Sequence, residues 1–155
     1  MSDLETYEAR REALRAKYIE DVSAPAPVST AGVDHLALIC SDIDDTIRFY
    51  TEVVNMRLVK VVTNRDEPTS THIFLDMGGG NLLAFFDFPE QDTGQTVRGI
   101  GAMHHVALKA APGQYQAIVK TLQARDLPHS IHGTQEAGSV YFRDPDDILL
   151  EVKSQ

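Results

Sequence analysis

The sequence predicts an α+β fold made of two copies of one unit, a strand, a helix and further strands, with an extra helix at the N-terminus. Three observations lead there. The segment Val33-Asp34-His35-Leu36-Ala37-Leu38 returns seventy residues later as Met103-His104-His105-Val106-Ala107-Leu108, sharing a His-x-Ala-Leu core. Each copy is followed by apolar residues at helical spacing. Residues 71–88 and 139–152 then align as hairpins without a gap, so that Phe74 takes the place of Tyr141 and Ala84 the place of Glu151.

The chain of 155 residues and 17.1 kDa is long enough to bury about 70% of its unfolded surface around one core. A formal charge of -9, with fourteen basic residues that nowhere cluster, argues against a nucleic-acid partner, because phosphate backbones are held by concentrated lysine and arginine. No apolar run approaches the length of a membrane span. The opening residues carry acid and lack the apolar core of a secretory signal, which makes the cytoplasm the expected compartment. Cys40 is the single cysteine, so an internal disulfide and a cysteine zinc cage are both ruled out.

In chain order, residues 2–20 are expected to be helical. Ser2 and Glu5 stand at capping-box spacing, and Leu4, Tyr7, Leu14 and Tyr18 form one narrow apolar stripe. Such a stripe buries little by itself, so the helix is expected against the main domain or a second subunit. Residues 23–30, with Pro25 and Pro27, form a linker, dividing the chain into residues 1–31 and a domain of residues 32–155. In the first copy a strand over 33–40 precedes a helix opened by Ser41 or Asp42 and running through Asn55, with Ile43, Ile47, Tyr50 and Val54 inward. Two strands joined by Gly78-Gly79-Gly80-Asn81 complete it. In the second copy Pro112 opens a helix through Arg125, with Tyr115, Ile118, Val119 and Leu122 inward. The final hairpin pairs residues 139–142 with 148–152 around the turn formers Asp144-Pro145-Asp146-Asp147. The two units span residues 32–88 and 101–155.

Strand alternation gives His35 and His105 the faces of Ala37 and Ala107, small neighbours that leave room beside each imidazole. Glu151 sits inside an otherwise apolar strand. A buried carboxylate calls for a cation or a metal ion, whereas a wet face near the C-terminus would need neither. Repeated units bring equivalent positions towards a common axis, so His35, His105 and Glu151 are expected to converge. Two imidazoles and one carboxylate leave coordination positions open on a divalent ion such as iron(II), which is where chemistry would occur. The alternative for each histidine is an ordinary polar residue of core or surface. His72 and His129 are read that way, and His104 is expected to point away from His105.

These motifs, together with Tyr141-Phe142-Arg143-Asp144-Pro145-Asp146-Asp147-Ile148-Leu149-Leu150-Glu151, resemble the vicinal oxygen chelate superfamily over residues 32–155. Its members include glyoxalases, bleomycin-resistance proteins, phosphonate-antibiotic thiol transferases and type I extradiol ring-cleaving dioxygenases. The resemblance implies paired βαβββ modules forming a curved mixed sheet around a metal site, with His35, His105 and Glu151 as ligands. Glyoxalase-like members use a fourth, glutamate ligand where this chain has Ala84, which favours a three-ligand site. His132, Tyr141 nine residues on and Glu151 ten beyond it are similar to the extradiol dioxygenase signature, in which the histidine and tyrosine line the catechol site. Those enzymes usually carry an acid-base histidine before the second metal histidine, and residues 89–103 contain none. The resemblance thus implies an iron(II) enzyme acting on a small catechol-like molecule, with manganese, zinc or nickel as other metals and a homodimer as the assembly. The other readings are a glyoxalase-like isomerase, lyase or thiol transferase, and a metal-free small-molecule binder.

Overall fold

The computed structural model describes residues 3–19 and 28–155. The Ser2 cap and the linker prolines lie outside them. By contacts the chain divides into residues 1–32 and residues 33–155. In the first unit, α1 (Asp3–Tyr18) is a 16-residue helix laced by Arg11–Glu8 at 2.8 Å, Arg15–Glu8 at 3.1 Å and an Arg15–Glu12 pair. Such exposed pairs each add only a few tenths of a kcal/mol, roughly 0.2–0.5. Leu4, Tyr7, Leu14 and Tyr18 are all exposed.

The second unit runs β1 (His35–Ile39), α2 (Ile43–Glu52), β2 (Arg57–Thr63), β3 (Thr71–Gly78), β4 (Asn81–Phe86), β5 (Val106–Ala110), α3 (Pro112–Ala124), β6 (His129–Gly133), β7 (Gly138–Arg143) and β8 (Leu149–Ser154). This is βαβββ twice, as the repeat foretold. Each module makes a mixed four-stranded sheet of the same topology, β1-β4-β3-β2 and β5-β8-β7-β6, with the first pair parallel and the others antiparallel. The helices start where their sequences dictate. Asp42 accepts the Asp45 N–H at 2.8 Å, and Pro112 opens α3 while Gln114 Oε1 accepts the Ala111 N–H at 2.8 Å.

Register makes the repeat physical. Ala37, Ala84 and Phe74 lie side by side across the first sheet, and Ala107, Glu151 and Tyr141 across the second. Residues two apart share a face, so these rows fix which side chains accompany them. The opposite faces, with Ile73, Leu83 and Phe85 in one sheet and Val106, Phe142 and Leu150 in the other, share a single core with Tyr50, Tyr115 and Leu122.

Contacts between the modules come from that helix-covered side. Phe49 packs against Phe142, with ring centroids 6.2 Å apart. The buried Tyr50 hydroxyl donates to Asp144 Oδ2 at 2.9 Å, the Ser41 N–H to Asp146 Oδ2 at 3.0 Å, and Arg125 pairs with Glu52 at 2.9 Å. The faces carrying His35 and Glu151 are therefore both turned away from the shared core. Among the described residues no helix is long and apolar enough to cross a membrane.

Candidate functional site

Glu151 stands at the centre of the second module's open face, on β8 between Ala107 of β5 and Tyr141 of β7. His105, just before β5, reaches it with Nε2 3.1 Å from Glu151 Oε2. The Tyr141 and Ser139 hydroxyls also donate to Glu151, whose side chain is only 12% exposed. The Ser139 bond, more than those of Tyr141 and His105, holds this carboxyl below its ordinary range against the opposing effect of burial. The same contact with Glu151 pushes the Tyr141 phenol upward and keeps its proton on oxygen. His132, on β6, lies beside Tyr141 with ring centroids 5.1 Å apart. Gly138, with φ +141°, lets β7 pass the His132 strand so closely that a Cβ there would overlap the His132 carbonyl.

The first module presents a different open face. His35, Ala37 and Ile39 of β1 stand beside Leu82, Ala84 and Phe86 of β4, then Asp76, Phe74 and His72 of β3. His35 sits edge-on to Phe74 at 5.7 Å, and His72 stacks on Phe86 at 3.7 Å. Burial, then the nearby His35 and Lys60, depress the His72 pKa and favour its neutral ring. His72 Nε2 is buried without a hydrogen-bond partner. Phe85 belongs to the core, whereas Phe86 and Phe88 extend this partly open aromatic surface.

Within one chain, then, His105, Glu151, Tyr141 and His132 come together and His35 does not join them. Among the described residues no group of three or more histidine, cysteine, aspartate or glutamate side chains is placed to hold a metal ion. The His105–Glu151 pair nonetheless fits two adjacent ligands. Donor atoms each about 2.1 Å from a first-row ion and at right angles to one another are about 3.0 Å apart, close to the spacing found. A groove of about 680 Å³ lies elsewhere, between Val53–Arg57, Leu108–Ala110 and α3.

The expected direction of His104 is corrected. His104 does not point away from His105, since their Nδ1 atoms are 2.7 Å apart. Strand alternation governs side-chain direction only inside the ladder, and β5 begins at Val106. Asp34, the equivalent residue of the first copy, likewise reaches its histidine, with Oδ1 2.6 Å from His35 Nδ1. Ser139 was also legible in principle, being two residues from Tyr141 and on its face.

Residues 32–152 match the family described as the Glyoxalase/Bleomycin resistance protein/Dioxygenase superfamily. The chain is 27% identical over 128 residues, 81% of its length, to a Bacillus subtilis (strain 168) protein named "Putative ring-cleaving dioxygenase MhqE". It spans only 42% of that relative. Among solved structures, a glyoxylase/bleomycin resistance protein/dioxygenase domain from Frankia sp. EAN1pec superposes with a TM-score of 0.67 at 20% identity, covering 80% of this chain and 91% of that one. The Listeria monocytogenes fosfomycin resistance protein FosX, as a point mutant complexed with Mn(II) and 1S,2S-dihydroxypropylphosphonic acid, gives 0.59 at 17% identity over 81% of this chain and 94% of its own. Built of two βαβββ modules, with the family match spanning both, the chain belongs to the glyoxalase/bleomycin resistance protein/dioxygenase superfamily.

Proposed function

We propose that the protein is a divalent-metal enzyme of the extradiol ring-cleaving type, acting on a catechol-like aromatic with iron(II) as its metal. The observation that carries this is the open-face cluster in which His105 Nε2 stands 3.1 Å from Glu151 Oε2 with Tyr141 and His132 beside them. Support comes from the His132, Tyr141, Glu151 spacing and from the relative named for ring cleavage. His105 and Glu151 would hold the ion, and the third ligand is His35 of a second copy, whose first-module face completes the site. A homodimer of this kind would bring the His35 face of one copy to the His105–Glu151 pair of the other. Manganese, zinc and nickel suit the same donors. The enzyme works in the reducing cytoplasm, where a lone buried Cys40 is at no risk of pairing.

The bound cation supplies Lewis acidity towards vicinal substrate oxygens and coordination positions that the protein leaves open. The chain's own groups supply orientation. Tyr141 keeps a proton to donate to a substrate oxygen as negative charge builds, and His132 offers a second hydrogen bond from the same side. Phe86 and the stacked His72, with Phe74 tilted against them, give a partly open apolar surface for an aromatic ring. A second reading, a glyoxalase-like isomerase, lyase or thiol transferase, draws on the lack of any histidine in residues 89–103.

Anaerobic reconstitution with iron(II), followed by oxygen and a panel of catechols, separates the two. The dioxygenase reading expects oxygen uptake and a yellow ring-opened product. Iron-loaded protein that consumes no oxygen with any vicinal diol aromatic, yet processes a thiol adduct or an epoxide, establishes the second reading instead.

A further inference from the structure

The residue preceding each repeat histidine touches that histidine's Nδ1, although the two neighbours differ in chemistry. Asp34 places Oδ1 2.6 Å from His35 Nδ1, and His104 places Nδ1 2.7 Å from His105 Nδ1. In both rings the occupied nitrogen is Nδ1, which leaves Nε2 as the remaining ring nitrogen, and in His105 that atom lies 3.1 Å from Glu151 Oε2. The two devices are not equivalent. An ionised carboxylate only accepts, so a neutral His35 beside Asp34 carries its hydrogen on Nδ1 and has a bare Nε2 lone pair. An imidazole both donates and accepts. With His105 Nε2 3.1 Å from an acceptor-only carboxylate, the metal-free pair is satisfied when His104 Nδ1–H donates to His105 Nδ1 and His105 Nε2–H donates to Glu151. A ligating His105 needs the reverse, with Nε2 bare and Nδ1–H donating to His104. The Nδ1–Nδ1 contact accommodates both directions. Reversal leaves the pair's proton count unchanged: His105 Nε2 gives its hydrogen to water, the Nδ1 hydrogen crosses from His104 to His105, and the exposed His104 takes one from water on Nε2.

We propose that Asp34 and His104 are positioning residues that set the ring tautomers of the two candidate metal histidines, Asp34 holding His35 permanently ready to ligate and His104 letting His105 change from Glu151's hydrogen-bond donor to a ligand. This rests on the reading of His35 and His105 as ligands, but the tautomers can be read without any metal. Groups behind a ligating histidine typically alter metal affinity about 10–100-fold. Asp34 is 93% exposed, so its effect belongs at the lower end.

The test uses the full chain and two measurements. Long-range 1H–15N spectra of metal-free protein should show His35 as the Nδ1–H form and His105 as the Nε2–H form, with His105 changing to Nδ1–H on addition of Zn(II). Zn(II) affinity by chelator competition should fall about tenfold or more in His104→Ala and about tenfold in Asp34→Ala. His104→Asn places an amide where the Nδ1 atom was and can turn either its oxygen or its nitrogen to His105, so it should restore affinity to within about threefold. Alanine variants that keep both the wild-type spectra and the wild-type affinity overturn the proposal. Wild-type protein that shows the expected metal-free tautomers, lost in the alanine variants, but binds no Zn(II) upholds the positioning roles and sinks the metal reading instead.

Discussion

Replacing Tyr50 by phenylalanine removes one oxygen from the junction between the modules, and the cost can be worked out. The Tyr50 hydroxyl is fully buried and donates to Asp144 Oδ2 at 2.9 Å. Asp144 is also buried, and its other oxygen accepts the N–H groups of Asp146 and Ile148 at 3.0 and 2.8 Å. The ring's packing on Phe85 and Phe49 survives the change, so the loss is one hydrogen bond to a carboxylate, about 1.5–3 kcal/mol. For a domain of this size that lowers Tm by about 4–10 °C. Burial raises the Asp144 pKa, while the Tyr50 and backbone hydrogen bonds oppose the rise. A carboxyl whose folded pKa lies above its unfolded value favours the fold at low pH, and that contribution is lost as pH climbs through the folded pKa. Deleting the hydroxyl lifts the folded pKa further, so the deficit of Tyr50→Phe should be larger at about pH 7.5 than at about pH 4.5. Urea denaturation at the two pH values measures it. A deficit below about 0.5 kcal/mol at both, or one larger in acid, refutes the reasoning.

At saturating iron, Tyr141→Phe should lower catechol turnover on the order of a hundredfold, because one donor to the developing charge is gone while His105 and Glu151 remain; unchanged turnover removes Tyr141 from the chemistry. Ser139→Ala removes the largest influence depressing the Glu151 carboxyl, so its pKa, followed by 13C NMR, should rise. The stability that Glu151 lends above its ordinary pKa, lost as pH falls through the depressed one, should then disappear at a higher pH than in the wild type. Burial pushes the Cys40 thiol to about 11, so Ellman's reagent at about pH 8 should react with it only in denaturant, and prompt reaction in the native protein contradicts its burial. Deleting residues 1–28 should lower Tm or change the sedimentation coefficient if the Leu4, Tyr7, Leu14 and Tyr18 stripe is covered in the assembly, and no change in either reduces α1 to a tail.

Much of the fold was readable because alternation and register obey local rules. The gapless alignment of Phe74 with Tyr141 and of Ala84 with Glu151 reappears as the same row in two sheets, since a one-residue slip would have turned each apolar set to the wrong face. The extended segments that failed the rules were those just outside a ladder. Alternation turns His104 away from His105, but residue 104 precedes β5, outside the ladder, and its ring reaches His105 instead. The run Asp144-Pro145-Asp146-Asp147 reads as turn chemistry, yet Asp144 and Asp146 also fasten the second module to Tyr50 and Ser41 of the first. Those contacts join the modules from their helix-covered sides and separate His35 from His105 and Glu151, a matter of packing on which residue spacing is silent.

The central claim, that two copies share each metal site, is tested most directly by complementation between defective chains. His35→Ala and Glu151→Ala should each bind no stoichiometric metal alone. Co-expressed with different tags, they form mixed dimers in which one site carries both substitutions and the other is intact. Pairing at random makes half of the dimers mixed, so metal content should return to about one quarter of the wild-type value per chain, and to about one half in dimers purified through both tags. Ligands drawn from a single chain give no recovery in any mixture. Mixed dimers that stay metal-free, or either single variant binding metal as the wild type does, contradict the shared site.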